Sequence, residues 1–256
     1  MIFNITSTKN EKFKYFKNLK QKKYRTEEYT VEGKKSVLEA LNSEKTVTAL
    51  ILSESFFDTI DFSLPDNIPA YIFPDSLLAG ISSTDTPSGI LATIKIEKPS
   101  DFTLNPEKAY IYCDRVSDPG NLGTIIRTAD AAGFGGVLLS PECCDLYNPK
   151  TVRSSMGSFF HIDIFENVGT HKLNLLKESG FLIFSGVLSD KTIDYTDADF
   201  KKPTIIVIGN ESNGVSQEVI DISTELIKIP ILGSAESLNA SIAAAVIMYE
   251  VVRQRR

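Results

Sequence analysis

"DRVSDPGNLGTIIRTADAAGFGG", residues 114–136, is the stretch from which the fold is read. Pro119 presets its own φ, Gly120 tolerates a positive one, and Asn121 can accept a backbone N–H as a helix N-cap. A rigid polar turn therefore leads into a helix expected over 121–132. Leu122, Ile125, Ile126 and Ala129 form one apolar face, and Gly133 is placed to end the helix in the left-handed conformation. Arg127 stands apart from that design. Helical side chains lean toward the N-terminus, so its guanidinium would lie over the turn holding Gly123, which has no side chain to block it.

Working outward, "AYIYC" (109–113) before this helix and residues 136–140 after it read as buried strands. Further periodic runs predict a helix near 149–157, a strand at 162–165, a helix at 171–179, strands at 181–187, 204–209 and 225–229, and a helix at 237–252. Strands alternating with helices imply an α/β fold with a mostly parallel sheet covered on both faces. Upstream, strands near 47–52, 71–73 and 90–96 with a helix near 34–41 make a small αβ module. Between them "EKPSDFTLNPEK" has two prolines and little periodicity, as a linker should. The division is 1–97, a linker 98–108, and 109–256.

The 256 residues are 42% hydrophobic, which fits a soluble globular chain rather than a disordered one. The longest apolar run, 242–249, is far short of the roughly 20 residues a membrane helix needs, and the lysine-rich start has no apolar targeting core. A cytoplasmic protein is expected. Three cysteines without a CxxC pair and two histidines ten positions apart support neither a disulfide framework nor a metal site.

The net charge of −6 hides an asymmetry. Residues 1–35 carry ten Lys/Arg against four Glu, a net of +6, leaving −12 for the rest. Lys9, Lys12, Lys14, Lys17, Lys20, Lys22, Lys23 and Arg25 form a basic arm. It is either a solvated helix face or a contact for a polyanion. Tyr15, Phe16 and Tyr24 among these lysines lean toward RNA, where phosphate contacts and stacking go together.

In an open α/β sheet, ligands bind beyond the carboxyl ends of the strands. Three loops there are rich in Gly, Asn and acid: 114–121, 209–214 ("GNESNG") and 230–239 ("PILGSAESLN"). If their strands are parallel, the loops share an edge. Each alone could be an ordinary connector. Asp118 and Asn121 could be turn and cap residues, Glu211 a surface acid, Ser237 and Asn239 caps of the last helix, and Arg127 a partner of Asp130. Together, after three strands, they point to a small-molecule pocket. No phosphate-binding G-x-x-x-x-G-K-[ST] follows a strand, and "GFGG" precedes a strand rather than opening a helix.

The stretches 114–129, "IGNESNG" (208–214) and "IPILGSAESLNASIAAA" (229–245) resemble the three sequence motifs of the SpoU (TrmH-type) RNA 2′-O-ribose methyltransferases, members of the knotted SPOUT superfamily. "RSSMGSFF" (153–160) resembles the segment between the first two motifs, and "VEGKKSVLEAL" (31–41) resembles the family's N-terminal RNA substrate-binding domain. The resemblance implies a C-terminal trefoil knot that binds S-adenosyl-L-methionine, with backbone at Gly209, Ile229 and Leu238 cradling the cofactor, and a homodimer. It implies methyl transfer to a ribose 2′-hydroxyl, with ribosomal RNA as substrate and tRNA as the alternative. Arg127 is the central catalytic residue on this reading, supported by Asn121, Glu211, Ser237 and Asn239. Two further possibilities are a non-catalytic RNA-binding member of the fold and transfer to a base nitrogen.

Overall fold

A computed structural model of the chain describes residues 1–97 and 102–256. It divides into two compact units, Met1–Lys98 with Tyr147–Phe160, and Pro99–Leu146 with His161–Arg256. Part of the expected linker, 98–101, lies outside the described residues. The remainder packs into the second unit: Leu104 is buried, and Phe102 meets Phe165 edge-on at 5.3 Å.

In the first unit, strands β1 (Ile2–Asn4), β2 (Glu28–Glu32), β3 (Val47–Ser53), β4 (Ala70–Phe73) and β5 (Ile90–Lys95) form a sheet in the order β1-β4-β3-β5-β2. The strand β4 runs parallel to β1 and β3, while β5 runs antiparallel to β3 and β2. Helices α1 (Glu11–Asn18), α2 (Lys34–Asn42), α3 (Glu54–Asp58) and α4 (Asp75–Ile81) accompany it.

The basic stretch is not an extended arm. Asn10 caps α1 by accepting from the Lys12 N–H, and Phe13 and Phe16 enter a core with Ile51, Tyr71, Phe73 and Leu78. Lys9, Lys12, Lys14, Lys17, Lys22 and Lys23 stay exposed. Arg25 departs from the expected RNA-contacting set, because it is 9% exposed and its Nη1 donates to the carbonyls of Leu19 and Lys20, both at 2.7 Å. Its charge fixes the chain after α1. Lys20 is half-buried, and that burial lowers its ammonium pKa.

The second unit holds seven parallel strands: β6 (Ala109–Cys113), β7 (Gly136–Leu139), β8 (Ile164–Phe165), β9 (Leu182–Gly186), β10 (Ile193–Asp194), β11 (Thr204–Ile208) and β12 (Glu225–Lys228). Their order is β10-β12-β9-β11-β6-β7-β8. The strands "AYIYC" and "TIIVI" are buried along their whole length, as central strands covered on both faces must be. The helix α5 (Pro119–Ala131) ends where Gly133 takes φ +71°, with the Phe134 N–H bonded to Ala129 O and the Gly133 N–H to Asp130 O.

The next helix, α6 (Pro149–Ser154), belongs to the segment grouped with the first unit. There Tyr147 and Phe159 pack on buried Tyr29 at 4.8 and 5.6 Å. Helices α7 (Thr170–Glu178), α8 (Gln217–Ile222) and α9 (Ala240–Arg255) complete the second unit, and α9 packs on α5 and β11. Among the described residues, no helix is long and apolar enough to cross a membrane.

Candidate active site

Because β6, β9, β11 and β12 are all parallel, the loops that follow them share the carboxyl edge of the sheet. The loop after β6 differs in detail from the sequence expectation. Asp118, not Asn121, is the N-cap of α5; its carboxylate accepts from the Asn121 N–H at 2.9 Å, and Pro119 and Gly120 are already helical. The left-handed residue of this loop is Arg115, at φ +58°, rather than Gly120. Freed from capping, the Asn121 side chain can face the other loops. Buried Asp114 reaches toward the loop after β11, where its Oδ2 accepts from the Ser216 N–H at 2.6 Å.

The loop after β11 is closed on itself, with the Asn210 N–H bonded to Gly214 O at 3.0 Å and the Gly214 N–H to Asn210 O at 2.9 Å. Gly209 makes this closure possible, since a Cβ there would collide with the backbone of Gly214 and Val215. Asn210 Oδ1 accepts from the N–H groups of Ser212 and Asn213, and its Nδ2 donates to Arg115 O at 2.8 Å. Glu211 is thereby presented to the first loop. Its carboxylate accepts from the Ser117 N–H and Oγ, the Asp118 N–H and Asn121 Nδ2, at 3.1, 2.7, 3.1 and 2.9 Å. Partial burial works to raise its pKa, but the bonds from Asn121 and Ser117 together outweigh it and hold the carboxyl at about 2.

In the third loop, Asn239 caps α9 by accepting from the N–H groups of Ser241 and Ile242. The helix thus begins at Ala240, not 237, which leaves Ser237 and Leu238 in the loop. The Asn239 Nδ2 donates to Asn121 Oδ1 at 3.0 Å. Asn239, Asn121 and Glu211 therefore form one hydrogen-bonded chain that ties the three loops together.

Beside this chain lies a cavity of about 440 Å³, walled by Gly186, Gly209, Ile229, Leu238 and Ala243 among others. Gly209, Ile229 and Leu238, expected to hold a cofactor, all line it, as do Glu211 and Ser237. Asn121, Asn239 and Arg127 do not line it. Arg127 is exposed on α5, and among the described residues it makes no hydrogen bond or ion pair, with Asp130 or any other group. Asp114, Ser117 and Asn210 belong to the same loops, and the sequence alone assigns them no role. An Asn that opens a loop and accepts from the N–H groups two and three residues on is a local pattern that could have singled out Asn210. The bonds of Asp114 and Ser117 span about a hundred residues and leave no local signal. Among the described residues, no group of three His, Cys, Asp or Glu side chains could hold a metal ion.

A doubly covered parallel sheet whose loops close on one cavity through Asn and Glu defines a nucleotide-type cofactor site on an α/β enzyme fold. Residues 108–249 match the SpoU rRNA Methylase family, and residues 10–92 match the MRM3-like substrate binding domain. The chain belongs to the SpoU rRNA Methylase family. It is 33% identical over 249 residues to the 23S rRNA (guanosine(2553)-2'-O)-methyltransferase RlmP of Bacillus subtilis, covering 96% of this chain and 98% of that one. The crystal structure of an AdoMet-bound rRNA methyltransferase from Sinorhizobium meliloti superposes with a TM-score of 0.88 at 31% identity, covering 98% of both chains. The SpoU methyltransferase AviRb from Streptomyces viridochromogenes, in complex with AdoMet, gives 0.84 at 29% identity, covering 96% of this chain and 98% of that one.

Proposed function

We propose that the chain transfers the methyl group of S-adenosyl-L-methionine to a ribose 2′-hydroxyl of ribosomal RNA. The observation that carries this reading is the Asn239–Asn121–Glu211 chain closing three loops beside the cavity. The cavity's chemistry fits the cofactor: about 440 Å³ is within the range of small-molecule sites, Ile229, Leu238 and Ile247 offer apolar walls, and the loop that Gly209 allows to close forms a further wall. Gly209, Ile229 and Leu238 would hold it. When bound, it supplies a methyl group on a sulfonium, open to in-line displacement.

The chain's own residues divide the remaining work. Glu211 is a poor base, with its carboxyl held at about 2 and its oxygens already accepting from Ser117, Asp118 and Asn121. It positions Asn121 instead. Arginine stays cationic in proteins, so Arg127, exposed and without a partner among the described residues, positions the RNA phosphate and stabilises the developing alkoxide while the hydroxyl proton passes to solvent. Ser237, on the cavity wall, orients the ribose.

RNA is captured by the first unit through its exposed lysines, Lys9, Lys12, Lys14, Lys17, Lys22 and Lys23. The placement of β12 beyond β9, with α9 packed back on α5, supports a trefoil knot in the C-terminal chain. The assembly is a cytoplasmic homodimer that needs no metal; apolar Ile242 and Tyr249, each 51% exposed on α9, support an interface there.

The test is transfer of labelled methyl from S-adenosyl-L-methionine to unmodified ribosomal RNA, followed by alkaline hydrolysis. Alkaline cleavage uses the 2′-hydroxyl, so a methylated ribose leaves one protected position. Label without protection would place the methyl on a base. Transfer only to tRNA would move the substrate.

A further inference from the structure

Three of the four exposed large aromatic side chains among the described residues, Phe3, Tyr15 and Tyr24, lie within the first 24 positions. The same end of the chain concentrates the basic charge, at +6 over residues 1–35 against −12 elsewhere. Nothing in the packing of the first unit asks for a ring at position 3. The strand β1 lies at the edge of its sheet, paired only with β4, and all three of its residues are exposed. Phe3 nevertheless lies nearly parallel on Tyr71, with centroids 5.2 Å apart and planes at 21°. The Lys12 Nζ sits 5.5 Å from the Tyr71 ring and 5.7 Å from the Tyr15 ring, between the two. Tyr15 is held in place by its hydroxyl, which donates to Glu28 Oε2 at 2.6 Å, and the residue stays 41% exposed.

A parallel ring pair with an open outer face, a second fixed ring and an ammonium between them match unpaired nucleotides: bases stack on rings and the phosphate meets the cation. A duplex cannot use such a surface, because its bases are already stacked. We propose that the face formed by β1 and α1 is a platform for an unpaired stretch of the substrate RNA, with Phe3 and Tyr15 taking bases and Lys12 a phosphate. The proposal rests on the RNA-methyltransferase reading for its substrate. It adds a site for single-stranded RNA within the first unit.

The experiment measures binding of the full-length chain to a fluorescein-labelled oligouridylate of about twelve nucleotides, and to the same strand annealed to oligoadenylate. Phe3→Leu keeps an apolar side chain on an exposed strand but removes the ring. It should weaken single-strand binding by about 5- to 150-fold, the usual worth of one stacked base, and leave duplex binding unchanged. Phe3→Tyr should restore it. Lys12→Gln should lower the slope of log affinity against log salt by about 0.7, one single-strand phosphate contact. Equal single-strand affinity for wild type and Phe3→Leu, or no single-strand binding by the wild type, would overturn the platform. So would a Phe3→Leu variant whose only change is in self-association or in pairing with another protein strand. Methyl transfer is read separately on ribosomal RNA. Transfer by a wild type whose oligouridylate binding ignores Phe3 would leave the enzymatic reading standing and remove the platform. Phe3-dependent binding without transfer to any RNA would do the reverse.

Discussion

Two parts of the candidate site are built to opposite rules. Around Glu211, Asn121, Asn210 and Asn239, polar groups are bonded to one another across three loops. At Arg127 and along residues 232–238, polar and apolar groups face outward: among the described residues Arg127 has no partner, and Leu232 is 97% exposed. A satisfied network loses stability when any one member is removed, so it sets distances and leaves less bonding capacity for a substrate than an unpaired group. A hydrated, unpaired group costs the fold nothing and remains available. The contrast assigns geometry to the first part and substrate contact to the second.

The assignment predicts its largest effect at the bare end. Arg127→Ala should lower the rate of methyl transfer by about 10²- to 10³-fold, the usual loss when one charge-stabilising donor is removed, with cofactor affinity and melting temperature unchanged. Arg127→Lys should recover little, because it keeps the charge but not the planar fork. A melting temperature that fell with activity in Arg127→Ala would make the residue structural and erase the contrast. The bonded end should behave the other way. Gly209→Ala forces the loop after β11 off its closed form and should cost about 1–3 kcal/mol of stability along with cofactor affinity, measured by thermal melting with and without S-adenosyl-L-methionine. Unchanged melting and binding would show that the loop closure is dispensable.

How far the sequence revealed this division follows from the range of the interactions. The strands "AYIYC" and "TIIVI" and the apolar face of α5 announce themselves by local pattern, and the structure places them within a residue or so of the reading. In the first unit, β1, β2, α3 and α4 are not legible in the sequence. Three-residue β1 has no room for a pattern, and α3 and α4 are too short for a helical period to show. Glu211 was legible as a candidate, yet its partners were not, because Ser117 and Asn121 lie about ninety residues away and only the parallel pairing of β6 with β11 brings them together. The cap at Asp118 lies three residues before the expected Asn121 for a local reason: two residues that can both cap flank a Pro-Gly pair, and either choice starts the same helix.

Asn239 tests whether capping and geometry can be separated at one residue. Its Oδ1 caps α9, and its Nδ2 holds Asn121. Asn239→Asp keeps an equally good cap, so any loss of stability should come from the broken bond to Asn121 alone, about 1–2 kcal/mol. The new carboxylate would face Asn121 Oδ1 with no proton to donate, and Asn121 cannot turn its amide without giving up Glu211. Methyl transfer should fall by about 5- to 30-fold, the worth of roughly 1–2 kcal/mol of lost hydrogen bonding. Wild-type turnover in this variant would mean that the tie between the first and third loops does not set the reactive geometry.

The smallest effect is the one with a pH signature. Glu211 has its carboxyl lowered to about 2 from an ordinary 4.5. A group depressed on folding contributes stability above its unfolded pKa, and that contribution is lost as pH falls through the folded value. The site is largely open to solvent, so screening leaves about 1 kcal/mol of the carboxylate's advantage over a neutral amide. Glu211→Gln should therefore melt a few degrees below wild type at pH 7. The gap should hold down to about pH 5, then close between there and about pH 2 as the wild-type carboxyl gains its proton and comes to resemble the amide. A gap that persists undiminished at pH 3 would mean that the donors from Ser117, Asp118 and Asn121 do not favour the charged form. The bonded end of the site would then owe its order to the backbone closure at Gly209 rather than to Glu211.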